Sequence, residues 1–342
     1  MTAVQGATRP HPTTPGTTAP TPGTPGTLAS PPPPHRLDDV KGWFPPLDQL
    51  LFDWFLHRQE AGGLRGDLLE VGVFMGKSAI FLGRHRQEGE RYTVCDLFGG
   101  DAPDGANRAE SVKSYSSLSR RAFESNYLAF HDELPRVLQG PSSLVPGEVA
   151  PASCRFVHID GSHLYEHVHG DIGAARDVLL PDGIVVLDDF RSEHTPGVSV
   201  AAWEAVLSRG LHPICLTTQK LYGTWGDPEP AQDALLEMVR AREDCDLSIQ
   251  QAAGHRLIRL KSRPALTAPS FPPSRHPEPE PAPPAETLPR QRNPAPTPHH
   301  RARRLAHDLL PPLVTRAIRR ARTPRAPRRE PLTPPQNTSR GT

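Results

Sequence analysis

Aromatic residues make up only 6% of this 342-residue chain, and it has only four cysteines. Cys95, Cys154, Cys215 and Cys245 are widely spaced, with no Cys-x-x-Cys pair. That excludes a disulfide-dense secreted scaffold and the familiar cysteine-based zinc motifs, so the four read as reduced core thiols. There is no run of 18 apolar residues, which removes a spanning helix, and the N-terminus lacks the charged-then-apolar pattern of a secretory leader. The expectation is a soluble, cytoplasmic protein. A charge excess of one sign is also missing: 39 Lys and Arg face 38 Asp and Glu, for a net of +1.

Proline, by contrast, is abundant. Of 42 prolines, 10 lie in 1–34 and 20 in 264–342, leaving 12 for the stretch between. Segments of that composition carry too little apolar surface to offset the entropy of ordering. The sequence therefore predicts a disordered Pro/Thr-rich tail at 1–34, one domain at 35–263, a disordered Pro-rich linker at 264–300 and a basic Arg/Pro-rich tail at 301–342. Charge divides the same way. Residues 264–342 hold 14 Arg against five acids, and 35–263 carries a net of −9. An acidic domain is a poor nucleic-acid binder, whereas a basic tail can seek an anionic partner. Within Arg301–Arg322, Leu305, Leu309, Leu310, Leu313, Val314 and Ile318 lie among many arginines, and Pro311-Pro312 splits any helix. That pattern suits peripheral contact with a membrane surface or a protein, and reads equally as a tail without structure of its own. No aromatics interleave with the arginines to stack single-stranded bases. Whether the chain forms a homo-oligomer is left open.

Inside the domain, apolar runs alternate with helical periodicity. Helices are expected over 47–59, 77–86, 117–131, 165–181, 198–207 and 231–242. Strands are expected over 67–71, 91–96, 136–140, 156–160, 184–188, 211–216, 220–225 and 255–261. The polar stretch 97–116 reads as a long loop, of the kind that serves as a lid. The alternation predicts an α/β, Rossmann-like doubly wound sheet, mostly parallel with an antiparallel closing strand.

Two strand ends carry the chemistry. Phe156-Val-His-Ile-Asp160 and Ile184-Val-Val-Leu-Asp188-Asp189 are 28 residues apart, and each stops on a carboxylate. A strand–helix–strand crossover makes them parallel, so Asp160, Asp188 and Asp189 converge on the rim where α/β sheets bind ligands. Carboxylates so close either rise in pKa or take a divalent cation, and an all-oxygen set suits Mg²⁺, Mn²⁺ or Ca²⁺ better than zinc. His163 and His167 stand one helical turn apart with His169 beyond them, but they lack a familiar zinc spacing. His194 lies within reach of the same pocket.

The first strand runs into Glu70-Val-Gly72-Val-Phe-Met-Gly76-Lys77-Ser78, a turn suited to close backbone approach at a helix start. A phosphate-binding P-loop needs four residues between its glycines; here there are three. Asp96 ends the next strand, 24 residues after Gly72, where an acid can accept hydrogen bonds from a ribose.

These segments, together with His158-Ile-Asp160-Gly-Ser-His163-x-Tyr165-Glu166 and Leu187-Asp188-Asp189-Phe190, resemble a class I S-adenosylmethionine-dependent methyltransferase. More narrowly they resemble the metal-dependent O-methyltransferases of sugars and natural products, of the macrocin type. The likeness covers about 65–200. It implies that Glu70, Gly72, Gly76 and Ser78 surround the amino-acid end of S-adenosyl-L-methionine, that Asp96 holds its ribose, and that Gly140 and Ser142 stand beside the adenine. It implies Asp160, Asp188 and Asp189 as ligands of a divalent metal such as Mg²⁺. His163, with Asp160, becomes the catalytic pair, an imidazole placed to take a proton near neutral pH. The chain departs from the family at Ser162, often Asp, and at Gln139-Gly140-Pro141-Ser142, often Gly-Asp-Ser. The implied reaction is methyl transfer to a hydroxyl of a small molecule: a sugar, glycoside or other secondary metabolite. The alternatives are a P-loop nucleotide hydrolase and a non-catalytic relative that keeps the fold as an interaction module.

Overall fold

The computed structural model describes residues 33–114 and 118–276. In chain order the elements are α1 (Pro46–Ala61), β1 (Asp67–Val71), α2 (Lys77–Gly83), β2 (Tyr92–Asp96), α3 (Gly105–Ser114), α4 (Arg120–Phe130) and β3 (Arg136–Gln139). Then come α5 (Val145–Glu148), β4 (Cys154–Ile159), α6 (Tyr165–Val178), β5 (Leu179–Leu187), α7 (Pro196–Ser208) and β6 (His212–Leu216). The last are β7 (Leu221–Thr224), α8 (Glu229–Arg240), β8 (Cys245–Ala252) and β9 (His255–Ser262).

The strands form one sheet in the order β3-β2-β1-β4-β5-β7-β6-β9-β8. β3, β2, β1, β4 and β5 run parallel, as their apolar runs and helical crossovers require. The order reverses between β1 and β4, which opens the ligand crevice at their carboxyl ends. β7 runs antiparallel to both β5 and β6, and β8 antiparallel to β9. There are thus two antiparallel strands where the sequence suggested one.

Helices cover both faces. On one side Leu51, Phe52 and Phe55 of α1 pack with Phe81, Phe123 and Leu235. On the other, Val145, Ile172, Val178 and Val206 pack with Val157 and Val185. All four cysteines are buried and free. Among the described residues no helix is long and apolar enough to cross a membrane.

Three stretches differ from the sequence reading. The polar 97–116 segment is not all loop. Asp104 Oδ1 accepts the Ala106 and Asn107 N–H groups at 2.9 and 2.8 Å, and α3 starts there. β8 was not anticipated, because most of its residues are exposed and it gives no two-sided apolar signal. It pairs with β9 through a tight turn in which Ala253 and Gly254 both take positive φ. The domain also continues past 263. Phe271 stacks on Phe81 at 5.6 Å, Leu266 is buried, and the Ser274 and Arg275 N–H groups donate to the His35 and Ala129 carbonyls. Proline content alone placed 264–276 in a linker, but its two large apolar side chains find the core. The disordered tails expected at 1–34 and 301–342, and the rest of the linker, fall outside the described residues except at 33–34.

Candidate active site

The turn after β1 is held by what its glycines permit. Gly72 has φ of +81°, and a Cβ there would lie 2.0 Å from the Asp160 carbonyl oxygen. The end of β1 can therefore meet the end of β4 only without a side chain. Gly76 has φ of +93°, and a Cβ would press on Phe123 at 2.9 Å. Asp96 fixes the turn from β2. Its Oδ2 accepts the Val73 and Phe74 N–H groups at 2.8 and 3.1 Å, and its Oδ1 accepts Phe98 N–H at 2.7 Å. Burial raises the Asp96 carboxyl, and these hydrogen bonds pull it back.

Glu70 lies behind the turn. It is fully buried, and it is not among the residues lining the cavity. Its Oε1 accepts from Ser78 Oγ at 2.5 Å and pairs with His158 Nδ1 at 2.8 Å, and its Oε2 accepts from the Tyr92 hydroxyl at 2.6 Å. Of the four turn residues predicted to surround the cofactor, Gly72 and Ser78 line the cavity, while Glu70 and Gly76 support it from beneath. After β3, Gly140 and Ser142 also reach the cavity. Beside them is Asp171 of α6, which the sequence reading did not single out. It lines the cavity, yet its Oδ2 is buried with no hydrogen-bond partner. Burial raises its carboxyl to about 6.

Asp160 follows β4, and Asp188 and Asp189 follow β5. The structure brings them together as predicted: one ligand atom each from Asp160, His163 and Asp189 lies within 4.8 Å of the others, and the same holds for His158, Asp160 and Asp188. Asp189 takes a left-handed φ of +56°, and its N–H donates to Asp188 Oδ1 at 2.7 Å. Burial drives the Asp160 carboxyl well above the carboxylate range, and the Asp188 and Asp189 charges add to the shift.

The group that balances these acids was missed in the sequence. Lys220 stands just before β7, whose antiparallel pairing sets Leu221 opposite Leu187. Its buried ammonium donates to Asp188 Oδ2 and lies 3.1 Å from His158 Nε2. Burial opposes its charge, but Asp188, Asp160 and Asp48 together hold it above the usual lysine range. Burial and Lys220 lower the His158 imidazole. His158 Nε2 faces an ammonium that can only donate, so it accepts from Lys220 and leaves Nδ1–H to donate to Glu70. A buried chain of polar contacts thus runs from Asp188 to the Gly72 turn. No local pattern marks Lys220; only the strand order does.

His163 sits between two carboxylates. Its Nδ1 is 2.9 Å from Glu110 Oε1 on α3 and its Nε2 is 3.3 Å from Asp189 Oδ2. Burial works against its charge, but the hydrogen bonds it donates to Asp189 and Glu110 outweigh it and raise the imidazole to about 10. In return, and against the burial that would raise it, the His163 hydrogen bonds help hold Glu110 near 2. The His163 hydrogen bond is the largest influence holding Asp189 near 2. The predicted base thus carries its proton in this arrangement. His167 pairs instead with Asp104 at 2.8 Å and His169 with Glu204 at 3.7 Å, so the three histidines do not converge on one ion. His194 lines the cavity, its ring 6.4 Å from that of His163.

The cavity enclosed by these groups measures about 1240 Å³. A pocket for one small ligand runs to about 300–1,000 Å³, so there is room for two.

Residues 69–190 match the family model described as a methyltransferase domain. No curated protein matches the chain. Among solved structures, the O-methyltransferase NovP is similar at 20% identity, covering 52% of this chain and 79% of its own, with a TM-score of 0.42. CalS11, a TDP-rhamnose 3′-O-methyltransferase of calicheamicin biosynthesis, is similar at 21% identity over 53% of this chain and 80% of its own, with a TM-score of 0.36. TomG of Streptomyces achromogenes, an O-methyltransferase of tomaymycin synthesis solved with S-adenosylmethionine, is similar at 17% identity over 64% and 78%, with a TM-score of 0.29.

Proposed function

We propose that the chain, whose residues 69–190 match a methyltransferase-domain model, is a class I S-adenosylmethionine-dependent methyltransferase that methylates a hydroxyl of a small molecule with the help of a divalent metal. A sugar, glycoside or other secondary metabolite is the acceptor class. The observation that carries this reading is the convergence of Asp160, Asp188 and Asp189 on a cavity with room for two ligands.

Both absent groups fit the residues present. The cofactor needs a hydrogen-bond acceptor for its adenine amine, and Asp171 Oδ2 is a buried acceptor without a partner at the cavity wall. Asp96 would take the ribose hydroxyls with the lone pairs its backbone contacts leave over. Gly72 and Ser78 would admit the amino-acid end. S-Adenosylmethionine supplies an electrophilic sulfonium methyl group, which needs only an oxygen aligned behind it. For the metal, the donors are carboxylate oxygens, as suits Mg²⁺. Asp160 and Asp189 would hold it, with Asp188 shared with Lys220, and such an ion orients hydroxyls and lowers their pKa.

The chain's own groups manage the proton. His163, whose side chain is partly exposed, accepts one from the acceptor only after releasing its own to water. When Asp189 is engaged elsewhere, His163 keeps one of its two carboxylate partners and its proton affinity falls. The displaced Asp189 contact is what turns an imidazolium into a base.

The test is calorimetric titration of the full chain with S-adenosylhomocysteine and, separately, ATP, each with and without Mg²⁺. Binding of the homocysteine compound and not of ATP supports the reading. Binding of Mg²⁺-ATP alone would put the P-loop hydrolase in its place. Asp188→Asn that leaves both metal binding and turnover intact would remove the metal from the proposal.

A further inference from the structure

A second group of metal-ligating side chains lies away from the cavity. Asp53 and His57 are one turn apart on α1, and His85 follows α2, its N–H donating to the Leu82 carbonyl. None of the three lines the catalytic cavity. One ligand atom from each lies within 4.8 Å of the others. Asp53 Oδ1 is 3.3 Å from His57 Nδ1 and 3.6 Å from His85 Nε2. Donors about 2.0–2.1 Å from a tetrahedral zinc ion are about 3.3–3.4 Å from one another. The Asp53–His57 spacing is that of two corners around a shared ion, and the Asp53–His85 spacing is slightly longer.

The surroundings agree. His85 Nδ1 lies 3.3 Å from Glu60 Oε1, so Nδ1 carries the proton and Nε2 offers its lone pair toward Asp53. Zinc-ligating histidines ordinarily donate their second N–H to a carboxylate in this way. Burial lowers the His85 imidazole to about 3, so the ring is neutral and ready to ligate. The nearby Arg155 is already engaged. It makes two 2.9 Å bonds to Glu90, and it also donates to Gln59 and to the His85 carbonyl. Arg155 Nη2 also lies 3.8 Å from Glu60 Oε1, so Glu60 is shared with it, and Asp53 is the carboxylate whose charge is left to the ion. His57 Nδ1 also lies 2.9 Å from the Asp53 carbonyl, a contact its exposed ring can give up, and the fourth corner is left to water. Two imidazoles and one carboxylate suit zinc, where the carboxylates of the catalytic rim suit magnesium.

We propose that Asp53, His57 and His85 bind a zinc ion that staples α1 to the end of α2, with Glu60 orienting His85. The test is zinc titration of the chelator-stripped full chain in excess Mg²⁺, read by bound-metal stoichiometry and by Tm. One zinc per chain and a rise in Tm are expected. His57→Ala, which alters an exposed ring, should lose both, and Asp53→Asn repeats the test on a second ligand. Glu60→Gln should weaken zinc about 10–100-fold. Asp189→Asn should retain the zinc. No zinc bound by the wild type, full binding in both ligand variants, or loss of the zinc in Asp189→Asn would each overturn the site.

Discussion

Lys220 and Asp188 form a buried ion pair in which each partner is tolerable only because the other is present. Removing one side leaves a desolvated charge, which costs about 3–5 kcal/mol. Lys220→Met should therefore lower Tm sharply, and Mg²⁺ should recover more of that loss than it adds to the wild type. Equal Mg²⁺ effects on both would show that the lysine and the metal do not share the acids. Asp171 gives the opposite sign. Its carboxyl is raised from 3.8 to about 6, so the fold favours the protonated form. That stability is complete below the unfolded value and is lost as pH rises through about 6. Asp171→Asn should accordingly be more stable than the wild type at pH 7, by order of 2 kcal/mol, while binding S-adenosylhomocysteine less tightly. Urea denaturation at pH 4 and pH 7 and a binding titration check both halves. At this scale the acids were legible, because each ends an apolar run. Lys220 and Asp171 were not, because one depends on strand order and the other on a cavity wall.

α3 ties the stretch expected to act as a lid to the His163 imidazole. Glu110 takes His163 Nδ1, the His163 N–H and the Ser162 hydroxyl, so one helix residue holds three groups of the loop after β4. Glu110→Gln removes one of the two carboxylates that raise His163. Its titration midpoint should fall from about 10 toward neutrality, as an NMR titration of the ring would show; an unmoved midpoint would mean that Asp189 alone sets it. β1, β2, β4 and β5 were readable from sequence since they are buried on both faces and bounded by turn residues. α3 was not, because a helix covering a polar cavity buries little: of its side chains through Glu110, only Asn107 is buried. β8 was missed for a related reason, since an exposed edge strand needs no apolar alternation.

For the molecule as a whole, the segment 264–276 matters more than composition suggested. A chain ending at 263 loses Leu266 and the Phe271 ring that packs on Phe81 and Phe130. Exposing that surface costs about 2 kcal/mol or more, so its Tm should lie about 5 °C below that of a chain ending at 276. Calorimetric melting of the two truncations decides it, and equal Tm values would return 264–276 to the status of a linker. The reversal of strand direction at β7 has a further consequence, for inheritance and for engineering. The family-model match stops at 190, yet the cation that makes the buried Asp188 tolerable arrives from residue 220. A graft of 69–190 into another scaffold would carry the buried Asp188 without its counterweight. The smallest portable unit of this chemistry extends through the hairpin that ends at Thr224.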